Sequence, residues 1–179
     1  MNKGAFLDRD GIINEDLVFV SDIRNFNFKA GIFNLLRLLS QKGYMIFIIT
    51  NQSGIARKYY GEQKYQKLTN YYKKILENLG IRIQDIYHCP HHPEFSKPPF
   101  DKCFCRKPKP GLFLKIKNKY RINMQESLSI GDTSRDLEAA FYAGIKERYL
   151  INKKQINTKY ASNNFLSLND CSKFIDKYK

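Results

Sequence analysis

Short apolar runs alternate along the chain with longer stretches in which apolar residues recur at helical spacing. Ala5 to Leu7 reads as a first strand, Lys29 to Gln41 as an amphipathic helix with Leu35, Leu36, Leu38 and Leu39 on its apolar face, and Tyr44 to Ile49 as a second strand. Gly43 punctuates the end of that helix. Helical spacing returns from Glu62 to Leu79, followed by a third strand at Ile83 to Tyr87 and a helix from Pro110 to Tyr120 with its proline at the start. Ser127 to Ile130 reads as a fourth strand, Ser134 to Ala143 as a helix ended by Gly144, Tyr149 to Ile151 as a short strand and Asp170 to Tyr178 as a closing helix. Alternation of this kind, with no internal repeat, predicts an α/β fold built on a doubly wound, Rossmann-like parallel sheet. We expect a single domain over residues 1–179.

Open sheets of this type present their chemistry at the carboxyl ends of the strands. The first strand runs into Asp8-Arg9-Asp10-Gly11, so two carboxylates one residue apart follow it directly, and Gly11 permits a sharp turn behind them. In such a turn Mg²⁺ can neutralise one carboxylate while the other stays free for proton transfer. The bland alternative is a solvated acidic turn. Strand two stops at Thr50-Asn51-Gln52-Ser53-Gly54, whose hydroxyls, amides and backbone N–H groups suit a phosphate, although an ordinary polar turn would read similarly. Strand four ends in Gly131-Asp132-Thr133-Ser134-Arg135-Asp136, where Asp136 has the further option of capping the next helix.

Acid, hydroxyl and acid at three strand ends outweigh any one of them alone. With Lys107 in Arg106-Lys107-Pro108 they make the chain resemble the haloacid dehalogenase-like superfamily of phosphohydrolases. Its D-x-D, Thr/Ser, Lys and G-D-x-x-x-D motifs find counterparts in Asp8 and Asp10, Thr50, Lys107, and Asp132 with Asp136. Lys109 is the alternative to Lys107.

A second cluster is Cys89-Pro90-His91-His92-Pro93 followed by Cys103-Phe104-Cys105. Cys-x-His and Cys-x-Cys pairs joined by a loop can close a tetrahedron of Cys89, His91, Cys103 and Cys105 around Zn²⁺, with His92 as the alternative to His91. Four protein ligands leave no open position, so the zinc is expected to be structural, pinning the loop 89–105 and aiming Arg106 and Lys107. Cys171 stands apart and reads as a small core residue; His88 reads as a strand residue without a chemical role.

D-R-D-G-x-I-N, T-N-Q-S-G-I-A-R, C-P-H-H-P, C-x-C-R-K-P and G-D together are similar to the branch of that superfamily that acts on heptose bisphosphates. The similarity extends from Ala5 to about Gly144. It implies a Mg²⁺-dependent phosphatase, with a zinc-pinned loop and a minimal cap, that removes the 7-phosphate of a heptose 1,7-bisphosphate and supplies activated heptose for surface glycans. Asp8 is then the nucleophile and Asp10 the acid/base. Mg²⁺ is held by the Asp8 carboxylate, the Asp10 backbone carbonyl and Asp132, while Thr50 and Lys107 hold the phosphoryl oxygens. Asp136 stands behind these groups, orienting Lys107 or a metal-bound water. Arg106, a planar fork, suits the remote phosphate. Asp16-Leu17-Val18-Phe19 and Asn51-Gln52-Ser53 complete the pocket. Thr133 stands where relatives often carry a Lys, with Lys109 or Arg135 as possible compensation. Histidinol-phosphate phosphatases share the zinc loop and acid motifs and are the alternative.

The formal charge of +14 invites a nucleic-acid partner. Lys residues scattered among Asn, Tyr and Ile, with no basic helix stripe interleaved with aromatics, argue against one. Compositional drift toward Lys is the bland explanation of the charge, with attraction of a polyanionic substrate as the functional alternative. No apolar run approaches the roughly 20 residues of a membrane span. Met1-Asn2-Lys3-Gly4 leads straight into the first strand, so we expect a cytoplasmic protein. A monomer is expected as well.

Overall fold

The computed structural model describes residues 2–152 and 158–179. Six strands, β1 (Gly4–Leu7), β2 (Met45–Asn51), β3 (Asp85–Cys89), β4 (Leu128–Gly131), β5 (Glu147–Ile151) and β6 (Asn163–Phe165), form one sheet in the order β3-β2-β1-β4-β5-β6. Every pairing is parallel. The order reverses between β1 and β4, and a crevice opens at such a switch point beyond the carboxyl ends of the strands.

Period-two alternation on the strands divides the core. Ala5 and Leu7, Ile46 and Ile48, Leu128 and Ile130 face α1 (Ile32–Gln41), α2 (Glu62–Asn78) and α5 (Leu168–Tyr178). Phe6, Phe47 and Ile49 face α3 (Gly111–Tyr120) and α4 (Ser134–Tyr142). Both faces of the sheet are covered, which is why its strands read as continuous apolar runs. Leu35, Leu36 and Leu39 are fully buried on α1, as is Cys171 on α5. Each such aliphatic side chain stabilises by about 1.5–3 kcal/mol.

The expected elements are all present, with boundary shifts that have local causes. The first helix starts at Ile32 rather than Lys29, because Gly31 sits at φ 86° and the Lys29 N–H is already spent on the Ile13 carbonyl. β2 continues through Thr50 and Asn51, which pair with His88 and Cys89, so the third strand is Asp85–Cys89 rather than Ile83 to Tyr87. Ile83 is buried but lies before the ladder. The short parallel edge strand β6 was not expected; Asn163-Asn164-Phe165 carries no apolar run to announce it. Among the described residues no helix is long and apolar enough to cross a membrane.

Candidate active site

The chain leaves β1 in a tight turn that presents Asp8 at the switch point. The Asp8 N–H donates to the Ile130 carbonyl at 3.0 Å, tying the turn to β4. Gly11 has φ 84°, and a Cβ there would overlap the Asp132 carboxylate. Glycine is thus required both by backbone conformation and by the closeness of the two acidic loops. Oxygens of Asp8, Asp132 and Asp136 lie within 4.8 Å of one another. Burial drives the Asp8 carboxyl well above its ordinary pKa, only partly countered by Lys107. Burial and the neighbouring Asp136 raise Asp132 to about 7. Crowded acids that resist ionisation together, with oxygen donors only, fit a small hard cation such as Mg²⁺.

Lys107 is 3% exposed and occupies the middle of this cluster. Its ammonium donates to Asp8 Oδ1 at 2.8 Å and to the Ile49 carbonyl at 2.8 Å, and pairs with Asp136 Oδ1 at 2.5 Å. Burial works against its charge, but the two carboxylates outweigh it and raise the lysine pKa. The same contact holds Asp136 below the usual carboxylate range despite burial. Asp136 also caps α4: its Oδ2 accepts from the Thr133 N–H and hydroxyl at 3.1 and 2.6 Å. The helix-capping contact and a contact with Lys107 are thus both made by Asp136. Lys109 is directed elsewhere, to the Lys102 and Cys103 carbonyls, which leaves Lys107 as the lysine at Asp8.

Asp10 is separate from the acidic trio. Its carboxylate takes hydrogen bonds from Arg9, from Asn14 Nδ2 at 3.1 Å and from Gln52 Nε2 at 2.9 Å. Gln52 Nε2 also donates to the Thr50 hydroxyl at 2.8 Å, and its Oε1 accepts from the Tyr60 hydroxyl at 2.6 Å. Asn51 clamps the Lys107 backbone, donating to its carbonyl and accepting from its N–H, both at 3.0 Å. Asn51 and Gln52, expected to touch substrate, therefore also hold Lys107 and Asp10 in place.

These groups open into a cavity of about 340 Å³ whose wall includes Asp8, Asp10, Asp16, Val18, Phe19, Thr50, Asn51, Gln52, Ser53, Arg106, Lys107, Asp132, Thr133 and Asp136. Leu17 is not part of that wall and is 55% exposed. Val18 and Phe19 hold φ values of 54° and 56°, a left-handed pair that costs about 1–3 kcal/mol per residue. Arg57, Tyr60, His92 and Arg135 also line the cavity; of these the sequence offers Arg135 only as possible compensation for Thr133 and His92 only as the alternative zinc ligand, and it does not single out Arg57 or Tyr60. Arg57 stood in plain view within T-N-Q-S-G-I-A-R, but nothing in its spacing tells a pocket arginine from a surface one. Its guanidinium lies 4.1 Å from the Phe95 ring centre and 3.0 Å from His92 Nε2.

Cys89, His91, Cys103 and Cys105 converge, with their ligand atoms within 4.8 Å of one another. The cysteines are free thiols, and Cys105 Sγ lies 3.4 Å from His91 Nδ1. His92 turns to Arg57 instead, so geometry selects His91. Burial pushes the Cys89 and Cys105 thiols up, a cost that a soft cation would relieve by taking them as thiolates. Arg106 Nη1 donates to the His91 carbonyl at 3.2 Å, which links the cluster to the cavity wall.

A doubly wound sheet that gathers Asp8, Thr50, Lys107 and Asp132 at its switch point is the arrangement of haloacid dehalogenase-like phosphatases. Solved structures agree. D,D-heptose 1,7-bisphosphate phosphatase from B. bronchiseptica, complexed with magnesium and phosphate, is similar with TM-score 0.86 and 26% identity, covering 99% of each chain. A putative HAD-like phosphatase from Mesorhizobium loti is similar with TM-score 0.85 and 25% identity, over 98% of this chain and 87% of that one. The model of the family described as Polynucleotide kinase 3 phosphatase matches residues 7–171. The chain belongs to that family and, within it, to the group of D-glycero-D-manno-heptose-1,7-bisphosphate 7-phosphatases. The alpha-type enzyme of Photorhabdus laumondii is 40% identical over 93% of this chain and 92% of its own. The alpha-type enzyme of Campylobacter jejuni is 43% identical over 86% and 84%, and a beta-type enzyme of Helicobacter pylori 38% over 99% and 98%.

Proposed function

We propose that this protein is a Mg²⁺-dependent phosphatase that removes the 7-phosphate of D-glycero-D-manno-heptose 1,7-bisphosphate and releases heptose 1-phosphate. The observation that carries the reading is the junction of the Asp8, Lys107 and Asp132 cluster with about 40% identity to heptose bisphosphate phosphatases over nearly the whole chain. That identity favours the heptose ester over histidinol phosphate. The acid-lined cavity disfavours a nucleic-acid partner. We read residues 1–179 as one phosphatase domain that acts as a monomer in the cytoplasm.

In this reading Asp8 attacks phosphorus and forms an aspartyl phosphate as the P–O bond to the sugar breaks. Asp10 gives a proton to the departing sugar oxygen and then takes one from the water that hydrolyses the acyl phosphate. Lys107 and the Thr50 hydroxyl hold the equatorial oxygens, where charge is redistributed in the transition state. Asp136 keeps Lys107 charged and aimed. Asp8, Asp132 and the Asp10 carbonyl would hold Mg²⁺, which supplies the positive charge that lets an anionic nucleophile meet an anionic phosphate. Arg106, with Asp16, Val18, Phe19, Ser53 and Thr133 around it, receives the sugar and its remote phosphate. Cys89, His91, Cys103 and Cys105 would hold a structural Zn²⁺, and so fix the loop ending in Arg106 and Lys107.

Asp8→Asn tests the nucleophile. We expect Mg²⁺-dependent phosphate release from the bisphosphate to fall to background while thermal unfolding shows a folded protein. Turnover at the wild-type rate would contradict the assignment.

A further inference from the structure

Arg9 stands between the two aspartates of the D-x-D turn, yet it is 0% exposed. Its guanidinium is turned toward α2, with its central carbon 5.9 Å from the Tyr65 ring centre. Nη2 donates to Asp10 Oδ1 at 2.7 Å and Oδ2 at 2.8 Å, Nε donates to Oδ1 at 3.1 Å, and Nη2 also reaches the Val20 carbonyl at 2.9 Å. A buried cation costs several kcal/mol of desolvation, and a buried ion pair replaced as a whole by apolar residues of similar volume is often as stable or more so. Nη1 has no acceptor. A charge kept at this cost, with its best bonds on a single carboxylate, is better explained by what it orients than by packing.

The two oxygens of that carboxylate are not equivalent. Oδ1 is held by Arg9 and by Asn14, both fully buried. Oδ2 is held by Arg9 and by Gln52, which lines the cavity and shares its amide with Thr50. Gln52 is itself 1% exposed, but it borders the cavity where Arg9 and Asn14 do not, so Oδ2 is the oxygen on the cavity side. We propose that Arg9 is a positioning residue for proton transfer: it commits Asp10 Oδ1 to the protein interior and presents Oδ2 to the leaving-group oxygen. The inference rests on Asp10 being the acid/base of the phosphatase reading.

Proton donation matters for an alkoxide leaving group and hardly at all for 4-nitrophenolate. The value of kcat/KM reports transfer to Asp8, the step in which the leaving group departs. The test measures kcat/KM on the heptose bisphosphate and on 4-nitrophenyl phosphate for wild type, Arg9→Lys, Asp10→Asn and the double variant, with unfolding temperature recorded for each. Arg9→Lys should lower kcat/KM on the sugar ester at least about tenfold more than on the aryl ester, within the range general acid catalysis supplies. On the Asp10→Asn background it should add little, because both changes act through one proton. Equal losses on the two esters, or a loss that multiplies with that of Asp10→Asn, would overturn the proposal. Where Arg9→Lys does not fold, Arg9→Gln takes its place in the same cycle. Wild type active on 4-nitrophenyl phosphate but not on the heptose bisphosphate would instead refute the heptose substrate, and the Arg9 comparison would then be read with an alkyl phosphate that the wild type does hydrolyse, fructose 1,6-bisphosphate being the first tried.

Discussion

Lys107 reaches Asp8 and Asp136 at once, and this shared contact sets the electrostatics of the site. It leaves Asp132 with the weaker share of positive charge, so that burial and Asp136 carry its pKa to about 7. An acid whose pKa is higher folded than unfolded binds more protons in the native state. Between the ordinary value near 3.8 and about 7, metal-free protein therefore loses stability as pH rises, and the loss levels off above about 7. A divalent cation at Asp8 and Asp132 removes that penalty. The unfolding temperature with Mg²⁺ minus that with EDTA should thus widen from pH 5 to pH 7.5; a constant difference would contradict the assignment of Asp132. The difference cancels groups remote from the site, such as His88, whose pKa burial lowers despite Glu62. At this scale the sequence was informative where chemistry repeats at strand ends: Asp8, Thr50, Lys107 and Asp132 lie as expected. The partners of Asp10 were not legible, because Arg9, Asn14 and Gln52 meet through turn geometry rather than spacing.

Among the elements, the segment from Cys89 to Cys105 has no core of its own. Phe95, Phe100 and Phe104 are exposed, and Cys89, Cys103 and Cys105 are the residues it contributes to the core cluster around α3. Arg106 and Lys107 follow the last ligand directly, so their placement depends on it. Cys105→Ser should release zinc, measured as metal per chain, and lower kcat/KM at least about tenfold, as the loss of groups that orient a site does. Full activity in zinc-free, folded protein would show that the loop is held without metal. The spacing of Cys and His made this cluster readable, whereas the choice of His91 over His92 needed the loop's path. Element ends were the least legible part. Gly31 delays α1 and ladder pairing carries β2 to Asn51, since a tertiary hydrogen bond rather than local propensity decides where each one stops.

For the whole molecule, strand–helix alternation limits the chain to a few doubly wound orders, of which the structure adopts β3-β2-β1-β4-β5-β6. It brings segments 99 residues apart, Asp8 and Lys107, to one point. The parallel, doubly wound architecture was therefore legible, and β6 was not, because an edge strand of Asn163-Asn164-Phe165 is held by pairing with β5 rather than by its own apolar pattern. A net charge of +14 surrounds a cavity whose floor is acidic. Such a field suits attraction of a small polyanion. The most direct test is ³¹P NMR of the wild-type protein with Mg²⁺ and heptose 1,7-bisphosphate, run beside histidinol phosphate. The prediction is that the 7-phosphate signal converts to inorganic phosphate while the 1-phosphate signal persists. Release of the 1-phosphate first, or turnover of histidinol phosphate alone, would contradict it.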